Sequence, residues 1–254
     1  MTASRAKVEV FEDLARLTRR AAEIFVDASN RALAQRGRFA VVLSGGRTPE
    51  GLYRLLADAA EYRDRIPWRA SHFFWGDERC VPPAHPDSNF KMAFSAMLSK
   101  LDLPAENIHR IRAELPSAQA AQDYEDGLRR FFSLGEGQWP DFDLVLLGMG
   151  PDGHTASLFP GGEAVREKKR LVLAPWVPKL SSFRITLTPP VFNAAKGVTF
   201  LVAGEDKAVA LEAVLEGESD PDQFPAQAIQ PKAGSLIWLV DRPAASRLRR
   251  APNS

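Results

Sequence analysis

Two apolar rhythms alternate along the chain. Residues 8–11 follow the two-residue period of a strand, and the next segment places Leu14, Leu17, Ala21, Ile24, Phe25, Ala28 and Ala32 at helical spacing before Gly37. The same pairing then recurs. Phe39–Leu43 is an unbroken apolar run that predicts a buried strand, and Ser44-Gly45-Gly46-Arg47 predicts a tight loop. Thr48-Pro49 reads as an N-cap with proline at the first helical position, ahead of Leu52, Leu55 and Leu56. Residues 72–75 predict a third strand that ends in the loop Gly76-Asp77-Glu78-Arg79, with Ser88 capping a helix that carries Met92, Met97 and Leu98. Ser117–Phe132 reads as an amphipathic helix closing near Gly135, and Leu144–Leu147 as a buried strand ended by Gly148. Further strands are expected at 170–174, 183–188, 198–203 and 236–240, and further helices at 206–215 and 244–248. Such alternation predicts an α/β fold with a mostly parallel sheet and helices on both faces, Rossmann-like in plan. No Gly/Ser-rich linker, low-complexity tract or internal repeat divides the chain, so residues 1–254 are expected to form one domain.

Composition narrows the function classes. Lys and Arg number 33 against 32 Asp and Glu, so no global field is expected to hold nucleic acid or an anionic membrane, and any anion site must be local. With 45% hydrophobic residues the chain can bury a large core. The single cysteine, Cys80, excludes an internal disulfide and a Cys-based zinc knuckle, which suits a reducing compartment. The first seven residues lead to the 8–11 strand without an apolar signal core, and no stretch is long enough to span a bilayer. A cytoplasmic protein is expected.

The chemistry concentrates at 143–160, where an apolar strand runs into Gly148-Met149-Gly150-Pro151-Asp152-Gly153-His154. In open α/β sheets ligands sit beyond the carboxyl ends of strands, so topology as well as residue type singles out Asp152 and His154. A lone histidine is commonly a satisfied core group. Here an acid two residues earlier can fix its tautomer and raise its basicity, as a general base requires. Gly148-x-Gly150-x-x-Gly153 matches a dinucleotide fingerprint literally, but Pro160-Gly161-Gly162 stops any long crossover helix, and the strand at 171–175 ends without the acid that would read a ribose. The other histidines, His72, His85 and His109, lack metal-site spacing, and no His-Glu-x-x-His is present. No serine sits in a Gly-x-Ser-x-Gly elbow. Cys80 follows Arg79, which would favour a thiolate, but a small packed residue is the favoured reading. Water activated by a base is the chemistry these residues favour.

Ser44-Gly45-Gly46-Arg47-Thr48 joins a strand to a helix start, where amide groups and the helix dipole can meet an anion; a plain βα turn also uses glycine and threonine. Asp77, Glu78 and Arg79 read either as a solvated turn or as part of the same sheet edge. Arg184 in a strand, and Lys207 after Gly204, are surface cations singly, but with the glycine loop they would neutralise a phosphate dianion.

Ser44-Gly45-Gly46-x-Thr48-Pro49, Asp77-Glu78-Arg79-x-Val81-Pro82 with Ser88-Asn89, and the run from Gly148 through His154-Thr155-Ala156-Ser157-Leu158-Phe159-Pro160 form a pattern. Arg184-x-Thr186, Asn193-x-Ala195, Gly204-x-x-Lys207 and Leu239-Val240-Asp241-x-x-Ala244-Ala245 continue it over nearly the whole length. The chain resembles the glucosamine-6-phosphate isomerase/6-phosphogluconolactonase family, on its lactonase side. That resemblance implies hydrolysis of 6-phospho-D-glucono-1,5-lactone to 6-phosphogluconate, the second step of the oxidative pentose phosphate pathway, with no metal or organic cofactor. It implies a three-layer fold, a small-molecule phosphosugar lactone as partner rather than nucleic acid or membrane, and a monomer or homodimer. It also implies His154 as the base, Asp152 orienting it, Asp77 and Arg79 around the lactone carbonyl, and Ser44, Gly45, Gly46, Thr48, Arg184 and Lys207 around the substrate and its phosphate. Which of Arg79 and Arg184 meets phosphate and which the oxyanion stays open. The deaminases of the family carry Asn-Glu-Pro where this chain has Leu158-Phe159-Pro160, so an acid is replaced by Phe159. A noncatalytic sugar-phosphate sensor is the other class, disfavoured because no helix-turn-helix precedes Val8 and the net charge is near zero.

Overall fold

A computed structural model describes residues 6–249. The reading of the first five residues as free of an apolar leader lies outside them. Strands β1 (Lys7–Phe11), β2 (Phe39–Leu43), β3 (Ser71–Trp75), β5 (Ile108–His109), β6 (Leu144–Leu147), β10 (Gly197–Val202) and β11 (Ser235–Asp241) form one parallel sheet in the order β1-β11-β10-β6-β2-β3-β5. Every residue of β2, β6 and β10 is buried, as the continuous apolar runs require of strands covered on both faces. Helix α1 (Leu14–Arg36) packs on β2 and β11, capped at its start by the Asp13 side chain and at its end by Gly37 in the left-handed region. Helices α2 (Arg47–Asp58), α3 (Ala60–Arg63), α4 (Asn89–Ala96) and α5 (Ser117–Phe132) follow in order, then α6 (Pro189–Asn193) and α7 (Ala208–Glu216). Ser88 caps α4 by accepting from the Lys91 amide, as its residue type predicts. No described helix is long and apolar enough to cross a membrane.

The order of the strands positions the site. From β2 the chain moves outward to β3 and then β5, returns to place β6 on the other flank of β2, and moves outward again to β10 and β11. The direction of winding therefore reverses between β2 and β6. At such a switch point the loops leaving the two strands diverge and leave a crevice beyond the carboxyl edge.

Several expectations are corrected. Asp77–Arg79 is not a loop but strand β4, antiparallel to β9 (Ser182–Leu187), and β9 also pairs with β7 (Val172–Leu173) and β8 (Trp176–Val177). Two of the four late strands thus leave the parallel sheet: the link from β7 through β8 to β9 is too short for a parallel crossover, and β9 takes the distant β4 as a further antiparallel partner. Thr48 is not an N-cap: α2 begins at Arg47 with Gly46 as the cap, so Thr48 and Pro49 lie in its first turn. Residues 244–248 make hydrogen-bonded turns instead of a helix, with the Asp241 carboxylate accepting from the Ala244 amide.

Candidate active site

Loops leaving β2, β3, β6 and β10 enclose a cleft of about 380 Å³ at the switch point, lined by Ser44–Pro49, Asp77, Arg79, Asn89, Gly148–Pro151, His154, Asp206 and Lys207 among others. Two buried tyrosines pin the strand ends that carry it. Tyr53 Oη of α2 accepts from the Ser44 amide and donates to the Ser44 carbonyl, both at 2.9 Å. Tyr124 Oη of α5 does the same for Trp75, at 2.9 and 3.0 Å. Each phenol replaces a missing ladder partner where a strand gives way to a functional loop. Gly45 lies so close to Asn89 that a Cβ would stand 1.9 Å from its Oδ1, and Gly46 takes a φ of 105° that side chains disfavour. The loop is therefore built from backbone, with the positive end of α2 behind it. Ser44 Oγ is buried at the cleft without a hydrogen-bond partner.

After β6 the backbone turns tightly. The Gly150 amide donates to the His154 carbonyl at 2.8 Å and the Gly153 amide to the Gly150 carbonyl at 3.1 Å, with Gly153 at φ 77°. This turn brings His154 Nδ1 to 2.5 Å from Asp152 Oδ1. Burial opposes the Asp152 charge, yet hydrogen bonds from His154 and from Lys179, whose Nζ lies 3.0 Å from Oδ2, hold its carboxyl well below the usual range. A carboxylate on Nδ1 assigns the proton there and leaves Nε2 as the basic nitrogen. Phe159 stacks on the imidazole with centroids 4.4 Å apart. Beyond it Ala156 adopts a left-handed φ of 48°, an unfavourable conformation for a residue with a Cβ, and lines the cleft beside His154.

Asp77 is only 8% exposed. Its Oδ2 accepts from Ser157 Oγ at 2.6 Å and its Oδ1 from Asn89 Nδ2 at 3.2 Å. Glu78, beside it, turns the other way and accepts from the Arg79, Asn89 and Phe90 amides and from Ser88 Oγ, anchoring the start of α4. Burial pushes its carboxyl up despite those amide bonds. Arg79 donates to the Asp87 carbonyl at 2.7 Å and lines both the main cleft and a second lobe of about 340 Å³. That lobe shares Asp77, Arg79, His154 and Ala156 with the first, and adds Lys179, Leu180 and Arg184. Arg184 stands opposite Arg79 across the β4–β9 pair, and burial, then the neighbouring Arg79 charge, lower its proton affinity. The structure gathers His154, Asp77, Arg79, Ser44, Gly45, Gly46, Thr48 and Lys207 around one crevice, while Asp152 lines neither lobe and joins the site through His154. Arg184 stands apart: the β4–β9 register carries it to the second lobe, away from the glycine loop. Lys207, paired with Asp206 at 2.9 Å, faces that loop from the end of β10. Among the described residues no group of three or more His, Cys, Asp and Glu is gathered as for a metal ion.

Residues 12–238 match the family described as glucosamine-6-phosphate isomerases/6-phosphogluconolactonase. The chain belongs to this family. Among curated relatives, a 6-phosphogluconolactonase of Nostoc sp. is 44% identical over 95% of this chain and 98% of its own length. One of Synechocystis sp. is 47% identical over 86% of this chain and 88% of its own. Among solved structures, 6-phosphogluconolactonase from Trypanosoma cruzi superposes with a TM-score of 0.85 at 28% identity, covering 98% of this chain and 99% of that one. A monomeric glucosamine-6-phosphate deaminase superposes at 0.79 with 21% identity, a likeness of fold alone.

Four side chains complete the site of this family member without having been predicted for it. Arg47 and Asn89 were in view as part of a loop and a motif, but only the fold turns them into the cleft. Ser157 reaches Asp77 across 80 residues of sequence, and Lys179 reaches Asp152 across 27. Ser157 belongs to the glycine-rich motif but carried no role there, and Lys179 had no local signal, since a lysine in a turn is an ordinary surface choice.

Proposed function

We propose that this protein hydrolyses 6-phospho-D-glucono-1,5-lactone to 6-phosphogluconate, as the names of its 44–47% identical relatives suggest, and that it does so in the cytoplasm. The observation that carries the reading is the Asp152–His154 pair, whose histidine lines both lobes of the cleft, with Phe159 packed on the imidazole where a deaminase would carry an acid. His154 Nε2 takes a proton from water as the oxygen bonds to the lactone C1. The charge that develops on the carbonyl oxygen is met by Arg79, the cation shared by both lobes. Collapse of the adduct breaks the bond from C1 to the ring oxygen, which takes the proton back from the imidazolium and leaves as a hydroxyl. A lactone is reactive enough for this route, so no serine or cysteine nucleophile is needed. The glycine loop, Thr48 and Lys207 bind the phosphate, whose charge matches amides at a helix start and a facing ammonium. Arg184, in the second lobe, serves the lactone end.

Purified protein should accelerate lactone hydrolysis above the spontaneous rate in an assay coupled to 6-phosphogluconate dehydrogenase. No acceleration would refute the reading, and turnover of glucosamine 6-phosphate would favour a deaminase. Within the same assay His154→Ala should lower kcat by about 10²–10⁴-fold while 6-phosphogluconate still binds, whereas Lys207→Ala should act chiefly on KM. Equal kcat for His154→Ala and wild type would place the base elsewhere.

A further inference from the structure

The segment from β8 to β9 forms part of the wall of the second lobe. Its tip carries Lys179 and Leu180, both lining that lobe, and its base is closed by an edge-to-face contact between Trp176 and Phe183, centroids 5.0 Å apart. Asp152 is therefore held from two sides. Oδ1 meets the imidazole at 2.5 Å and Oδ2 meets Lys179 Nζ at 3.0 Å, so one carboxylate links the histidine to a cation on a different structural unit. The Lys179 side chain is 68% exposed, and such a pair contributes little to stability. Its position beside the reactive histidine is what gives it consequence.

We propose that Lys179 is a positioning residue for His154: it fixes the Asp152 carboxylate and, through its charge, keeps the imidazole from holding its proton too tightly. The inference rests on the lactonase reading for its catalytic meaning, but the ion pair itself is independent of it. An imidazole paired with a bare carboxylate gains proton affinity, and a cation on the far oxygen offsets that gain. A base that must be neutral when water attacks then stays available at lower pH. The other charged groups lining the two lobes with His154 are Arg47 at the start of α2, Asp77 and Arg79 on β4, Asp87 in the following loop, Arg184 on β9, and Asp206 with Lys207 after β10. These oppose one another in sign and are untouched by a change at position 179. A charge removed at this range through largely solvated space shifts a titration by roughly 0.5–1 pH unit.

The test compares wild type, Lys179→Met and Lys179→Arg by NMR titration of the histidine rings, with the His154 signal assigned by its loss in His154→Gln. In Lys179→Met the midpoint of the His154 ring should rise by roughly 0.5–1 unit, and the acid limb of kcat/KM should move up by the same amount. Lys179→Arg should keep both at wild-type values, and raising salt should narrow the gap between Met and wild type by screening the exposed charge. Unchanged signals from His72, His85 and His109 certify that the variant is folded. A His154 midpoint that is the same in Lys179→Met and wild type overturns the proposal. Ring titration needs no turnover, so absence of lactonase activity with a shifted midpoint would refute the functional reading and leave the ion pair standing. An unshifted midpoint with full activity would do the reverse.

Discussion

Gly150 leaves no room for a side chain: a Cβ would stand 2.0 Å from His154 Nδ1 and 2.8 Å from Asp152 Oδ1. In the sequence this residue belonged to an imitation of a dinucleotide fingerprint, whose glycines make room for a pyrophosphate. Here it makes room for the ring of the histidine four residues later. Gly150→Ala should therefore leave the fold intact and displace the imidazole, lowering kcat by at least about tenfold through misplacement of the base, with the circular dichroism spectrum unchanged. Wild-type kcat in this variant would show that the close approach carries no function. Asp152 and His154 were legible because the acid, the histidine and the glycines between them are local in sequence. Lys179 and Asn89 were not, because each reaches the site from a distant segment whose own pattern is that of an ordinary turn or cap, and the role of Ser157, though it stands close to His154 in sequence, depends on the distant Asp77.

At the scale of elements, β3 and β5 meet at the edge of the parallel sheet and bring His72 Nδ1 to 3.3 Å from His109 Nε2. His109 stacks on Phe74 and touches Phe131 edge-on, and burial, followed by the neighbouring His72, pushes its titration down to about 4. Its folded value lies below the unfolded one near 6.5, so between these values the unfolded chain binds more protons. Stability from this site is thus full above about 6.5 and is lost as the pH falls toward about 4. His109→Phe should flatten that loss, so its urea-unfolding free energy should drop less between pH 7 and pH 5 than that of wild type. Equal drops would mean that the histidine is not desolvated in solution. Element types followed well from periodicity, including the Phe39–Leu43 and Leu144–Leu147 strands and the extent of Ser117–Phe132. Partners did not follow, as β4 and β9 show: an antiparallel pair between residues a hundred positions apart leaves no trace in the apolar pattern of either strand.

Over the whole molecule, buried side chains of the parallel sheet such as Val42 and Leu146 join those of the smaller antiparallel one such as Val172 and Ile185 in a single hydrophobic cluster. A continuous core should unfold as one unit, so calorimetry should show a single transition whose van't Hoff and calorimetric enthalpies agree. Two resolved transitions would mean that the antiparallel sheet is an independent unit. The site depends on both sheets, since His154 follows a parallel strand, Arg79 and Arg184 lie in antiparallel ones, and Gly76 bonds to Leu43 of the first sheet and Leu187 of the second. The sequence by itself determined most of the strands and helices, the glycine breaks at their carboxyl ends, and the family, because apolar periodicity and short motifs act over a few residues. Only the tertiary structure decided that the loops after β2 and β6 would flank one crevice, that Arg184 would stand apart from the glycine loop, and that Lys179 would close on Asp152. Those outcomes depend on the order and direction in which strands are laid beside one another, which crossovers set and local pattern does not encode.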